Sequence, residues 1–582
     1  LYNYIIKARR KMENMLRLVT GRIGCGKTAR IYEEIRKITE QGGEVTLVVP
    51  EQYSFHTEKK MLEMLGARGA DRVNVVSFSF LAKNLLKKYG LNSEKSLDDS
   101  TRAMLMSVAL DEAGDDLQVY SRHRYSPAVI LQMLKTLKDF RQCSVTSDKI
   151  EETLAKLKPS LLKDKLGEIL LIDRTYTALV EQNYFDDDCA LDILCDVLDE
   201  HRDFDGAEVF VDGFRGFTAQ EYAVLERIMH QSAETWVTLC VDKADDEFGV
   251  FAHTFRTKRK LIRCAQKSGT DIAKPELLTR DGSIDPELNA LEKGLYSGGA
   301  EIYGEKTKKI TLCSAEDFES ECEFVACTIK RLIRTENIRC RDIAVISRSE
   351  NNYSRQIRSA LIKNGVPVFE DKRQPITSEP LIEFVRSAIE IGTSGFSTDA
   401  LMRLAKTGLT DLTIEEIAKI ENYALMWQIN GKKWLDEWTA HPNGLGEKML
   451  EKDAAELREI NDTRIKLVAP LQKFRVKLRD FTSLEAAQAI YYLLIDMNVG
   501  ENLKKLAIKL NESSQSELAS EQERIWSLTM EMLDRIADSL EGVRLTPSRF
   551  RELFDLLVST YSVGNLPQGL DEITIGSADR VK

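Results

Sequence analysis

Leu16-Arg17-Leu18-Val19-Thr20-Gly21-Arg22-Ile23-Gly24-Cys25-Gly26-Lys27-Thr28 is the stretch on which the fold turns. Its second part, Gly21 to Thr28, is a full match to the phosphate-loop pattern G-x-x-x-x-G-K-[ST]. Glycine admits positive φ, so successive backbone N–H groups can turn inward around phosphate oxygens. Gly21, Arg22, Ile23, Gly24, Cys25, Gly26, Lys27 and Thr28 are therefore the candidate nucleotide site. Lys27 suits the β- and γ-phosphates, and the Thr28 hydroxyl suits Mg²⁺. The flanks give the setting that the loop requires. Leu16 to Thr20 alternates like a strand, and Ile31, Tyr32, Ile35 and Ile38 recur at helical spacing. The positive end of that helix adds to the phosphate site.

Working outward, Val45 to Val49 reads as a second buried strand ending at Pro50. Val73 to Leu81 reads as a strand running into a turn and helix. In superfamily-one helicases an aromatic-bearing segment of this kind contacts single-stranded DNA, which makes Ser77, Phe78 and Phe80 candidate DNA contacts. Stacking on an aromatic face is open to any base. Core packing is the competing role for each ring. Ala207 to Asp212 is an apolar strand ending in an acid, and Asp212 is the second candidate Mg²⁺ residue. An active motor carries a water-activating glutamate directly after this aspartate. Here the residue is Gly213, which cannot act as a base, and Glu221 is expected one or two helical turns away. The following strand, Thr235 to Asp242, lacks the Gly-Asp-x-x-Gln pattern that senses γ-phosphate. Both features point to nucleotide binding without efficient turnover.

A second core is expected from Ile310-Thr311-Leu312-Cys313, an amphipathic helix through Phe324, Ile329 and Leu332, and the strand Asp342 to Ser349. Arg348 ends that strand at the position of a helicase arginine that reaches the γ-phosphate, a role suited to its permanent charge. A salt-bridged strand-end arginine is the alternative.

Composition agrees with a folded, multi-domain chain. At 582 residues it is too long for one core, and 43% hydrophobic with 30% charged residues is a globular balance. No apolar run reaches the ~18–20 residues that span a bilayer. The ten cysteines include no C-x-x-C pair and read as idle thiols, and the six histidines argue for no zinc site. A net charge of −11 disfavours indiscriminate nucleic-acid binding, yet leaves room for a local basic channel. The basic stretch from Arg256 to Lys267 could hold phosphates or be a solvated helix face. Trp427, Trp434 and Trp438 read mainly as core. Leu1–Lys11 is read as upstream sequence, with Met12 or Met15 before the first strand.

The expected architecture is α/β, with two RecA-like P-loop cores of parallel sheet, each interrupted by a mainly helical insertion. The boundaries are 12–92 with 205–300 for the first core, 93–204 for its insertion, 301–394 with 561–582 for the second core, and 395–560 for its insertion. This is the plan of the UvrD-like helicases. Within it the chain resembles the AddB family. The resemblance rests on Asp212-Gly213-Phe214 with Phe217-Thr218, Tyr184-Phe185-Asp186, Leu404 to Leu409, Glu421-Asn422-Tyr423, Gly431 to Trp434, and the terminal Leu570 to Arg580.

The resemblance implies an ATP- and Mg²⁺-binding, single-stranded-DNA-binding subunit of a cytoplasmic bacterial helicase–nuclease, paired with an AddA motor and processing double-strand breaks for recombinational repair. It implies an inactivated motor used to read the single-stranded Chi hotspot, with single- and double-stranded DNA as partners. It also implies, for the parent protein, a C-terminal 5'-3' nuclease and an iron–sulfur cluster, neither of whose residues falls in this chain. The alternative is an active UvrD-like DNA helicase. A small-molecule kinase and a purely structural subunit are the readings from other classes; nucleotide-dependent phosphate transfer to a metabolite would mark the first, an empty loop the second.

Overall fold

The computed structural model describes residues 14–91, 97–242, 249–279, 285–295, 302–348, 350–370, 373–444, 448–479, 481–513, 515–540, 542–564 and 571–577. The leader 1–11 and the ends of the terminal strand segment lie outside them. The chain forms two compact units, Leu1–Leu97 with Met133–Leu312, and Asp98–Gln132 with Cys313–Lys582.

In the first unit, β1 (Met15–Thr20), α1 (Lys27–Glu40), β2 (Val45–Val48), α2 (Ser54–Ala70), β3 (Val73–Val76) and α3 (Phe78–Lys88) follow one another. After a run of helices come β4 (Glu208–Val211), α4 (Ala219–Gln231), β5 (Glu234–Leu239), α5 (Ala252–Ser268), β6 (Asp271–Ile272) and β7 (Glu276–Leu277). Every pairing is parallel, in the order β3-β2-β4-β5-β1-β6, with β7 also on β1. A parallel sheet must be covered on both faces, and the strand sequences are apolar on both. Leu16, Leu18, Val209, Val211 and Val237 join one core. Val19, Leu47, Phe210 and Trp236 join the other, against Ile31 and Ile35 of α1.

The stretch expected as one insertion, 93–204, is divided. Its last helix, Ala190–Glu200, buries Leu194, Val197 and Leu198 in the first core. Asp98–Gln132 instead belongs to the second unit. There Asp98 pairs with Arg535 at 2.5 Å, and Arg549 donates to the Ser107 hydroxyl at 2.7 Å. Helical periodicity marks such helices but carries no information on which core receives them.

The second unit contains α6 (Phe318–Glu336), β8 (Ala344–Ser347), α7 (Glu350–Lys363), β9 (Val368–Glu370) and β10 (Ile573–Ser577). β10 re-enters between β8 and β9, parallel to both. Cys322, Ile329, Leu361, Ile573 and Ile575 form the core beneath it. Residues 310–313 carry no strand, and Leu312 is 98% exposed. Four alternating residues without a neighbouring ladder are too few to hold one.

The rest of this unit is mainly helical among the described residues, from Pro380–Ser394 to Pro547–Thr560, with two antiparallel ribbons, Arg373–Pro375 with Ser562–Gly564 and Phe481–Thr482 with Arg544–Leu545. Thr413 with Glu416, and Thr482 with Glu485, close capping boxes that satisfy the first N–H groups of their helices. Trp434 and Trp438 are buried, with Tyr423 stacked on Trp438 at 4.8 Å. Trp427 donates its indole N–H to the His441 carbonyl. No described helix is long and apolar enough to cross a membrane.

Candidate nucleotide-binding site

β1 ends at Thr20, and the chain turns through Gly21–Gly26 into α1. Gly24 and Gly26 hold φ of 74° and 84°, a region that costs a side-chain-bearing residue about 1 kcal/mol. Gly21 is required for a second reason. At φ 155° a Cβ there would meet the Cys25 sulfur and would lie 2.6 Å from the Leu278 carbonyl oxygen. That carbonyl follows β7 and belongs to backbone that cannot step aside. Gly21→Ala is accordingly expected to cost roughly 1–3 kcal/mol of stability and to distort the loop. Chemical denaturation checks this, and a change below about 0.5 kcal/mol would show that the loop relaxes freely.

Lys27 Nζ donates to the carbonyls of Gly21 at 3.0 Å and Arg22 at 2.7 Å, so the ammonium lies over the mouth of the loop. Arg22 is anchored away from the loop, on Asp242 three residues past β5 and 3.7 Å from Glu292. Ile23 is exposed. Cys25 sits 3.8 Å from Lys27 Nζ and is half-buried.

Sheet order brings the second candidate residue to this loop. β5 lies between β1 and β4, and all three end on the same edge. Asp212, just past β4, is 8% exposed and accepts a hydrogen bond from Thr28 Oγ1 at 2.9 Å. Its other oxygen accepts from Thr238 of β5. The carboxylate is thereby aimed from both sides. Burial, reinforced by the Asp212 charge, pushes the Tyr32 phenol above its usual range. Sequence reasoning misses Thr238 and Tyr32. Both stand in apolar-periodic segments, where a hydroxyl reads as incidental.

The residue after Asp212 is Gly213 at φ 84°. The backbone here takes a left-handed turn, into which a glutamate fits only with strain. Glu221 is occupied elsewhere. Its carboxylate accepts from Thr218 N–H at 2.7 Å, while Thr218 Oγ1 accepts from Glu221 N–H, a capping box at the start of α4. Among the described residues, Thr28 and Asp212 meet below the loop and offer oxygen donors there.

Two protein-family models match this chain: "ADDB, N-terminal" over residues 18–292 and "UvrD-like helicase C-terminal domain" over residues 250–426. Proteins named as the B-type subunit of an ATP-dependent helicase/deoxyribonuclease, from Thermoanaerobacter sp. (strain X514) and Clostridium novyi (strain NT), are 30% and 31% identical over 97% of the chain. The chain is similar to the AddB family. It covers 50% of each of these relatives, so it spans about half the length of the family members it matches. The counterpart from Acetivibrio thermocellus is 29% identical with the same coverage.

The remaining candidates fall in different surroundings. Ser77 N-caps α3, its hydroxyl accepting from Phe80 N–H at 3.1 Å. Phe78 is buried edge-on against Phe214 and Phe217. Phe80 stands 51% exposed. The helical repeat accounts for the difference, because 78, 81, 82 and 86 share the inner face and 80 lies off it. The Phe214–Phe217 pair thus serves first as the packing partner of Phe78. Arg348 is exposed past the end of β8, in the second unit. All ten cysteines are free, and burial pushes the thiols of Cys189 and Cys195 up to about 11. They are protonated at neutral pH and poor metal ligands as they stand.

Proposed function

We propose that this chain is the nucleotide- and single-strand-binding, helicase-like portion of a helicase–nuclease subunit in double-strand-break repair, built as a motor that no longer turns over ATP efficiently. The observation that carries the reading is the pairing of Thr28 with Asp212 below the phosphate loop, while Gly213 follows the aspartate and Glu221 caps a helix. The first is what Mg·ATP binding needs. The second puts no carboxylate directly after the aspartate, and the third commits the next carboxylate in the chain to a helix cap instead of to water activation.

Bound ATP would be held by the loop N–H groups and Lys27. Mg²⁺, which favours one or two protein oxygen ligands beside phosphate oxygens and waters, fits Thr28 and Asp212. The all-parallel sheet with β5 between the loop strand and the Asp212 strand supports a RecA-like reading of the first core. β8, β9 and β10 support a second, to which Arg348 would contribute its charge. Phe80, exposed beside the Ser77 cap, is the ring available for stacking on a base. The relatives' designation as one subunit of several supports a partner motor of the AddA type, and their deoxyribonuclease designation supports a nuclease in the parent protein. Reading of Chi by the inactivated motor rests on the family resemblance.

The test is steady-state ATP hydrolysis by the purified chain, with and without oligo-dT. A rate below about 0.1 per second, against the 1–10³ per second usual for enzymes, unaffected by DNA but accompanied by measurable Mg·ATP binding, is expected. Turnover of tens per second that rises with single strands would replace this reading with that of an active UvrD-like helicase.

A further inference from the structure

α5 follows β5 and carries Arg256, Lys258, Arg259, Lys260, Arg263 and Lys267 with no carboxylate, in a chain of net charge −11. Its inner face is set by Phe255, Leu261 and Ala265. His253, Arg256, Lys260, Arg263 and Lys267 recur every three or four residues and are all exposed, so they form one outward stripe. Lys267 is paired with Glu226 at 2.8 Å, and Lys260 lies over the Tyr222 ring at 5.3 Å. From His253 to Lys267 the stripe is about 21 Å long, with roughly one cation per 5.4 Å turn.

Its near end abuts the nucleotide-site edge of the sheet. Thr257 Oγ1 donates to the Arg215 carbonyl at 3.3 Å, and a Cβ on Gly216 would lie 2.7 Å from His253 Cε1. The loop that follows Asp212 therefore rests on α5, and Arg215 is exposed beside it. Apart from the His253 imidazole, the stripe offers no aromatic or apolar side chain. Protein partners bury an apolar centre and avoid lysine, whereas a nucleic-acid backbone requires only regularly spaced cations.

We infer that α5 is a phosphate-backbone contact surface for DNA, sequence-independent and continuous with the loop after Asp212. The inference rests on the DNA-binding part of the proposed function and specifies where the backbone is held. It assigns these residues no role in reading bases.

The experiment is fluorescence anisotropy with a labelled 20-nucleotide dT strand and a 20-base-pair duplex, between about 50 and 200 mM salt. It compares the chain with R256E/K260E/R263E, with R256Q/K260Q/R263Q, and with K448E/K452E/K473E, which carries the same charge change on exposed positions of the second unit. The α5 reversal is expected to weaken binding at least tenfold at low salt. The log–log salt slope should fall by about 2–3, near one for each lost phosphate contact. The glutamine variant should show the same slope change with a smaller loss, and it keeps the test open should the reversal fail to fold. Loss confined to the duplex or to the single strand identifies which backbone α5 holds. Equal binding by the α5 variants and the unaltered chain overturns the inference alone, as does an equal loss in K448E/K452E/K473E. Unchanged DNA binding with weakened binding to poly-glutamate would assign the stripe to an acidic protein and overturn it too. No DNA binding by the unaltered chain overturns the DNA-binding reading itself, and the inference with it.

Discussion

Lys27→Ala is expected to weaken Mg·ATP binding roughly 100-fold while leaving the fold intact. Charge-assisted hydrogen bonds are each worth about 1.5–3 kcal/mol, and the ammonium would make them to two phosphates. A loss near 3 kcal/mol corresponds to about two decades in Kd. The side chain reaches the loop carbonyls of Gly21 and Arg22 and the Cys25 sulfur and is half-buried, so its removal opens no core cavity. Isothermal titration with a non-hydrolysable ATP analogue measures the effect. Arg36→Ala, on the same helix and paired only with the exposed Glu40, serves as the control and should bind normally. If Lys27→Ala stayed within about threefold (0.7 kcal/mol) of the unaltered chain, the loop would not be a phosphate site.

Trp434→Ala should be the most destabilising single truncation in the second unit, at about 3–5 kcal/mol. The indole is fully buried and lies edge-to-face on Trp438 at 5.0 Å. Its N–H donates to Thr398 Oγ1 at 3.0 Å, and its own carbonyl accepts from buried Arg464 at 2.9 Å. Truncation therefore leaves a large cavity and removes a hydrogen bond. Trp434→Phe, which keeps most of the volume and loses the N–H, should cost about 1–2 kcal/mol. Urea denaturation followed through the helical unit distinguishes the two. A loss under about 1 kcal/mol for the alanine variant would mean that the tryptophan cluster is not the centre of this core. DNA affinity of the folded variant should not change, because the ring has no exposed face on which a base can stack.

The two candidate regions differ in how much of them can be read locally. The phosphate loop lies in eight consecutive residues, and strand, loop and helix each announce themselves by period and glycine placement. Phe78, Phe80 and Ser77 are less legible. Proximity in sequence groups them, while the helical repeat turns Phe78 into the core, leaves Phe80 outside and gives Ser77 a capping role. The helices of 93–204 are recognisable as helices, yet their division between two units is not, since an amphipathic face states only that it must be buried. The basic stripe on α5 is visible as a run of charges. Its uniform outward placement depends on which face Leu261 and Ala265 bury.

By itself the sequence determined the glycine-rich loop, the apolar strands buried on two faces and the missing acid after Asp212, because each is a matter of residue type over a few consecutive positions. Tertiary structure alone decided that Asp212 meets Thr28 across 184 residues and takes its second hydrogen bond from Thr238. It alone placed Ile573–Ser577 between β8 and β9. These contacts follow from strand order and parallel register, which arise only when separate apolar segments bury one another, and no local pattern encodes which segment becomes whose neighbour.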